Sequence, residues 1–331
     1  VTASLIEAHL RRRERWKAVE FLFWLAPVAF ILLAPSRAAL VNEIIINGLF
    51  ALSLDLILGF AGIVSLGQAA FFGLGAYTAA ILANAGYANP LLGLVAGAVP
   101  AAVLGFATAP LLLRGADLTR LMVTMGVALM LGEIANRNGW LTGGADGLNF
   151  SMDPLFGFLP IGSIGVGPRN AALYSLAVMF LLFVLARRLV QSPFGFSLAA
   201  IRENRLRAGA LGISTPRRIF AIYTLAAAYA GVAGALLAET TAIASLDLFD
   251  FHRSADVMLM LIIGGGGYLY GGPLGAAAFI VLKNVIAEQT PEYWEFWIGL
   301  ALIVLVLAGR ERIAAHLRRS LSLLVRRERA T

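Results

Sequence analysis

Ten mostly apolar stretches, each close to the length that crosses a bilayer, follow one another along this chain, at about 19–36, 40–60, 68–84, 91–113, 118–137, 170–189, 217–238, 253–269, 272–288 and 293–309. A transmembrane helix needs about 20 predominantly apolar residues, because hydrocarbon offers backbone polar groups no partner except the helix itself. Such a succession excludes an ordinary soluble domain. Composition agrees, with 60% apolar against 14% charged residues, where soluble domains carry about 25% charged. The expected fold class is all-α and polytopic, with about ten transmembrane helices.

A net charge of +7 could point to nucleic acid, but the placement of the basic residues points to membrane topology. With the amino terminus inside and the spans alternating, 21 of 26 Lys and Arg fall on the cytoplasmic side. They form four blocks: Arg11 to Lys17, Arg114 with Arg120, Arg187 to Arg218, and Arg310 to Arg329. This positive-inside pattern predicts an even helix count with both ends cytoplasmic. It divides the chain into a basic arm (1–18), a transmembrane domain (19–309) and a basic tail (310–331). The arm leads into a full-length span with no small-residue cleavage site, so no removable signal peptide is expected.

Reaction chemistry has little to work with. There is no cysteine, and the three histidines, His9, His252 and His316, are scattered outside the spans. Thiolate metal sites and disulfides are excluded, and neither a metal-dependent nor a serine-type membrane enzyme finds its cluster of ligands or its base. No GxxxxGK[ST] phosphate loop occurs, so this chain is expected to bind no nucleotide of its own.

Two glycine-rich segments interrupt the apolar pattern: "GFAGIVSLGQAAFFGLGAY" at 59–77 and "GGGGYLYGGPLGA" at 264–276. Broken helices at membrane depth survive only where they are buried in protein or line a watery cavity, which makes these segments candidate translocation elements. The path candidates are Asp55, Gly59, Gly62, Ser65, Gln68, Phe71, Gly73, Gly75, Gly264, Gly265, Gly267 and Gly271. Helix packing is the competing reading for each glycine. Asp55 stands out as an acid within a span, costly to insert and a functional candidate by default. Glu133 and Arg137, one turn apart, read as a structural pair.

Two connections are long: a Gly- and Pro-rich outer loop at 138–168 and an inner loop at 190–216. The inner loop contains "AAIRENRLRAGALGIST" at 199–215. Ser192-Pro193 predicts a turn, and Ser197 an N-cap for a helix of about four turns from Leu198. Within it Glu203 and Arg207 are spaced i,i+4, worth about 0.2–0.5 kcal/mol. Ile201, Ala208 and Leu211 share another face, Gly212 suits a left-handed C-cap, and Thr215-Pro216 suits the N-cap and first turn of the next span. Such a helix either lies passively at the interface or docks into a cytoplasmic partner.

The inner-loop segment resembles the cytoplasmic loop of permease subunits of branched-chain amino acid ABC transporters, the LivM-type inner-membrane component more closely than its LivH-type companion. "GLFALSLDLILGFAGIVSLGQAAFFGLGAYTAAIL" at 48–82, "LTGGADGL" at 141–148 and "LIIGGGGYLYGGPLGA" at 261–276 agree with the same family in the same order. The resemblance implies a type II-like importer permease of the bacterial inner membrane without its own ATPase. It implies pairing with a second, LivH-type permease, two cytoplasmic ATPase subunits that bind ATP and Mg, and a periplasmic solute-binding protein. By this match Arg202, Glu203, Asn204, Arg207, Ala208, Leu211 and Gly212 belong to a coupling helix inserted into the ATPase. Thr142, Gly143, Gly144, Asp146 and Gly147 belong to an outer gate or binding-protein contact. Arg205 and Gly209 depart from the family pattern, and Asp55 stands where the family usually has an uncharged residue. The alternative class is an ion-coupled transporter or channel, for which Asp55 is the main coupling candidate.

Overall fold

The computed structural model describes residues 18–114, 117–155, 157–161, 167–289 and 296–300. Almost all of the basic arm 1–18, the tail 310–331 and most of the predicted span 293–309 lie outside the described residues. The chain forms two compact units, residues 1–277 and 278–331, and the fold and sites below belong to the first.

Helices occupy the other predicted spans: α1 (Ala18–Leu33), α2 (Ala38–Leu54), α3 (Gln68–Asn84), α4 (Pro90–Arg114), α5 (Asp117–Arg137), α6 (Gly167–Gln191), and, after α7 (Pro193–Glu203) and α8 (Arg205–Ala210) in the inner loop, α9 (Thr215–Thr241), α10 (Phe251–Gly264) and α11 (Gly271–Gln289). Among the described residues, five helical stretches are long and apolar enough to cross a membrane: Pro35–Gly59, Pro90–Leu113, Leu118–Arg137, Gly167–Gln191 and Thr215–Thr241. α3 keeps its predicted bounds, whereas α1 and α10 stop short of the predicted 36 and 269. α10 stops at Gly264 rather than running to 269, because Gly265 and Gly267 take positive φ.

α9 is the central helix, packed mainly against α4, α3 and α2. Its sequence explains why. Ala226, Ala227, Ala230, Gly231, Ala233, Gly234, Ala235 and Ala238 are all buried and small, which lets neighbouring backbones approach. A Cβ on Gly75 of α3 would strike the Gly231 carbonyl, and one on Gly97 of α4 would come within 2.7 Å of the Ala235 methyl. Gly97 thus serves helix packing, and Gly93, one turn earlier on α4, leaves room for the Glu239 carboxyl. Outward faces are the reverse of a soluble bundle: Val95, Val99, Val103 and Phe106 form an exposed apolar stripe along α4.

The predicted outer loop meets the segment that follows α9 at one end of that helix. β1 (Leu148–Asn149) pairs antiparallel with β2 (Ile243–Ala244), and Arg253 bonds Asp247 at 3.1 Å. Glu133 and Arg137 form the expected pair at 2.6 Å. At the other end of α9, about 40 Å away by helical rise, lie α7 and α8.

Candidate functional site

The inner loop departs from its expected form. Ser192, not Ser197, caps the first helix, its hydroxyl accepting from the Phe194 N–H at 3.2 Å. Asn204 then adopts an extended conformation (φ −159, ψ 108) and caps a second helix through its Oδ1 and the Arg207 N–H at 2.9 Å. Two short helices therefore replace one of four turns. Asn residues compete with helical backbone for such bonds, which makes a mid-segment Asn a natural break. The break removes the i,i+4 geometry expected for Glu203 and Arg207. Ala208 and Ile201 are both buried, whereas Leu211 is 75% and Leu206 is 88% exposed, so Leu211 does not share the buried face.

α8 ends as Gly212 predicts. Gly212 has φ +83, its N–H donates to Gly209 O at 3.0 Å, and the Ile213 N–H donates to Ala208 O at 3.1 Å. This is a Schellman closure. The next helix begins at Thr215 with Ser214 as cap and no side-chain cap bond, one residue before the expected start.

The last turn of α7 faces the membrane-spanning part. The Arg202 guanidinium donates to the Gly59 carbonyl. Gly59 closes a π-turn, Asp55–Gly59, that continues α2 with one residue too many per turn; such turns cluster at functional sites. Asp55 is fully buried, and its Oδ1 accepts from the Gly267 N–H at 2.7 Å. The two predicted glycine interruptions and the charged inner loop thus converge on one joint.

Glycine is required there. Gly62 (φ +69) would place a Cβ 2.9 Å from Arg202 Cγ, and Gly267 (φ +84) one 2.8 Å from Arg202 Nη1. A Cβ on Gly59 would meet Asp55 Oδ1 and the Gly267 nitrogen. Of the path candidates, Asp55, Gly59, Gly62 and Gly267 form this joint together with Arg202. Ser65, Gln68 and Phe71 lie buried at the start of α3. Gly73, Gly75, Gly264 and Gly271 sit at close helix approaches, against the Phe249 ring, Gly231, Gly271 and Gly265 respectively.

In the outer segment, Thr142 is buried and donates to Ala135 O at 2.5 Å. Gly143, Gly144 and Gly147 all have positive φ, and a Cβ on Gly147 would come within 2.7 Å of Ala244 O. Asp146 is exposed in the short helical turn between them. These residues fold into a compact cap tied to β2.

Sequence reading missed several residues. Glu239, buried in α9, accepts from the Tyr174 hydroxyl at 3.0 Å, and a side chain on Gly93 would fill its space. Glu20 on α1 pairs with the buried Arg187. Thr124 and Ser254 reach the start of α3. An acid near a span end, like Glu239, carries a signal in sequence; a lone Thr or Ser carries none.

Apolar outward faces, broken helices joined at a buried polar joint, and an exposed inner loop define a polytopic membrane permease. The family model for the branched-chain amino acid transport system permease component matches residues 36–307, and this chain belongs to that family. It is 30% identical over 286 residues to the high-affinity branched-chain amino acid transport system permease protein LivM of Salmonella typhimurium, covering 79% of this chain and 66% of that protein. To the LivM protein of Escherichia coli it is 31% identical over 287 residues, again covering 79% and 66%. The chain therefore spans just under two thirds of the length of those relatives. It is also 28% identical over 256 residues to the autoinducer 2 import system permease protein LsrC of an Enterobacter species, covering 73% and 70%. No solved structure matches it.

Proposed function

We propose that this chain is a translocation subunit of an ATP-driven importer of the bacterial inner membrane, taking up branched-chain or related hydrophobic amino acids. It performs no covalent chemistry. It pairs with a second permease, receives solute from a periplasmic binding protein, and is moved by two cytoplasmic ATPase subunits that bind ATP and Mg. The arm 1–18 and the tail 310–331 lie on the ATPase side.

The observation that carries this reading is the shape of the 193–212 segment. α8 and its C-cap present Leu206, Arg207 and Leu211 outward, and exposed leucines next to a cation suit a groove in a soluble protein better than water. On its other side the segment is anchored by Arg202 to the joint between the broken helices. A push on α8 is thereby delivered to the two glycine interruptions. The names of the LivM relatives support the amino acid class, and LsrC shows that related permeases serve other solutes.

The test is a gentle detergent pull-down of the chain from its native membrane. Walker-motif ATPases and a second permease are expected with wild type, and the ATPases are expected to be lost from Leu206→Glu. Recovery of the chain alone sinks the reading.

A further inference from the structure

α3 begins inside the span rather than at its end. The ring of Phe71, in its first turn, meets the Tyr223 ring edge-on at 5.5 Å. Tyr223 lies eight residues into α9, about 12 Å along a helix of about 40 Å. A helix start leaves its first N–H groups without intrahelical partners and carries about half a positive charge. At membrane depth those groups must be met by protein.

Hydroxyls meet them. The Leu66 N–H donates to Thr124 Oγ1 at 3.3 Å, the Gly67 N–H to Ser65 Oγ at 3.3 Å, and the Ala69 N–H to Ser254 Oγ at 3.0 Å. Thr124 comes from α5 and Ser254 from α10, so three elements converge on one helix start. The Tyr223 hydroxyl lies within hydrogen-bonding reach of Ser65 and Thr108.

Gln68 is the independent observation. It is completely buried, and neither its amide oxygen nor its amide nitrogen has a partner among the described residues. Helical side chains lean back toward the N-terminus, so the amide of this first residue belongs to the space in front of α3. An orphaned buried amide costs stability that a leucine of similar size would not. Packing alone gives no reason for Gln at this place.

We propose that the start of α3 is a transient binding site for the carboxylate of the transported amino acid, a reading that rests on the importer function above. Gln68 Nε2 and the hydroxyl hydrogen of Ser254 donate to the carboxylate, which lies along the positive end of the helix. Gln68 Oε1 accepts from the solute's ammonium group. Phe71 and Tyr223 supply an apolar wall for its side chain. With no full charge of its own, the site selects by dipole and hydrogen bonds, and releases its solute as readily as a conduit must.

The experiment compares wild type with Gln68→Leu in the complex purified with its partners. The probes are L-leucine and L-leucinamide, which lacks the carboxylate, observed by saturation-transfer NMR without binding protein. Leucine is expected to give a signal with wild type that Gln68→Leu loses, and leucinamide to give none. In proteoliposomes, uptake by Gln68→Leu is expected to fall at least tenfold while the ATPases stay bound and thermal stability holds or rises. Wild-type uptake by Gln68→Leu, equal signals from both probes, or no leucine signal from wild type overturns the site. Loss of the ATPases from the wild-type preparation is a different outcome and counts against the importer reading instead.

Discussion

The Asp55 carboxyl accepts the Gly267 backbone N–H at 2.7 Å, across 212 positions of sequence. This bond fastens the π-turn after α2 to the turn between α10 and α11. Only one carboxyl oxygen is engaged; Oδ2 has no hydrogen-bond partner among the described residues. An asparagine oriented through its Oδ1 keeps the bond, whereas leucine leaves a buried N–H unpaired at about 1–3 kcal/mol. Asp55→Asn is therefore expected to unfold in detergent near the wild-type temperature and to keep transport, and Asp55→Leu to be destabilised and inactive. An ion-coupled mechanism predicts the contrary, that Asp55→Asn abolishes transport.

Gly62 and Arg202 are coupled by space. An alanine at Gly62 carries a left-handed strain of about 1–2 kcal/mol and must also displace the Arg202 stem, 2.9 Å from its Cβ. Removing that stem in Arg202→Ala relieves the second cost but not the first. A double-mutant cycle on thermal stability should show the pair less destabilised than the sum of the single changes, by about 0.5 kcal/mol or more. Strict additivity would mean that the arginine does not hold this position.

Much of this arrangement was legible in the sequence, and the reason is periodicity. Apolar runs placed helices at the predicted spans up to residue 289, and Gly212 announced its left-handed C-cap. The glycine interruptions were legible as breaks, but not the fact that they meet, because the Asp55 to Gly267 bond is long-range and leaves no local pattern. Glu203, Arg207 and Leu211 keep helical spacing, which predicts one helix across the inner loop. Asn204 overrode that spacing with a side-chain cap worth about 1 kcal/mol, and so turned Arg202 and Leu206 to opposite tasks. The Thr124 and Ser254 hydroxyls at the start of α3 had no signal to offer, since single hydroxyls are common in packed spans.

The outer cap has a pH response of determinate sign. Partial burial draws the Asp247 carboxyl upward, but the Ser245 hydroxyl and the Arg253 guanidinium donating to it, with the charge of Arg253, outweigh this and hold it below the ordinary aspartate value of 3.8. A depressed folded value means that the stabilisation is complete above the unfolded value and is lost as pH falls through the folded one. Protection against hydrogen exchange over 243–253, taken relative to the intrinsic rate at each pH, should thus be constant from about pH 7 to 5 and fall only below about 4. Asp247→Asn should exchange faster than wild type at pH 7, with the gap closing in acid. A wild-type change between pH 7 and 5 would assign the response to another group.

Arg202 and Leu206 lie four positions apart on either side of Asn204, and the break gives them separable roles. Arg202 bonds inward to the Gly59 carbonyl, while Leu206 is 88% exposed on the far side of the same segment. If α8 is the surface that partners hold and Arg202 the strut behind it, damage to each must show a different phenotype. Leu206→Glu places a charge in an apolar contact and should remove the ATPases from the purified complex. Arg202→Ala frees the Gly59 carbonyl and leaves Leu206 and Leu211 in place, so the ATPases should remain bound and hydrolyse ATP while solute moved per ATP drops at least tenfold. Arg202→Lys keeps a cation but not the planar fork, and a partial recovery is expected. Loss of the ATPases from Arg202→Ala would place the arginine at the partner's surface after all, and make the joint with Gly59 a resting contact rather than a transmission.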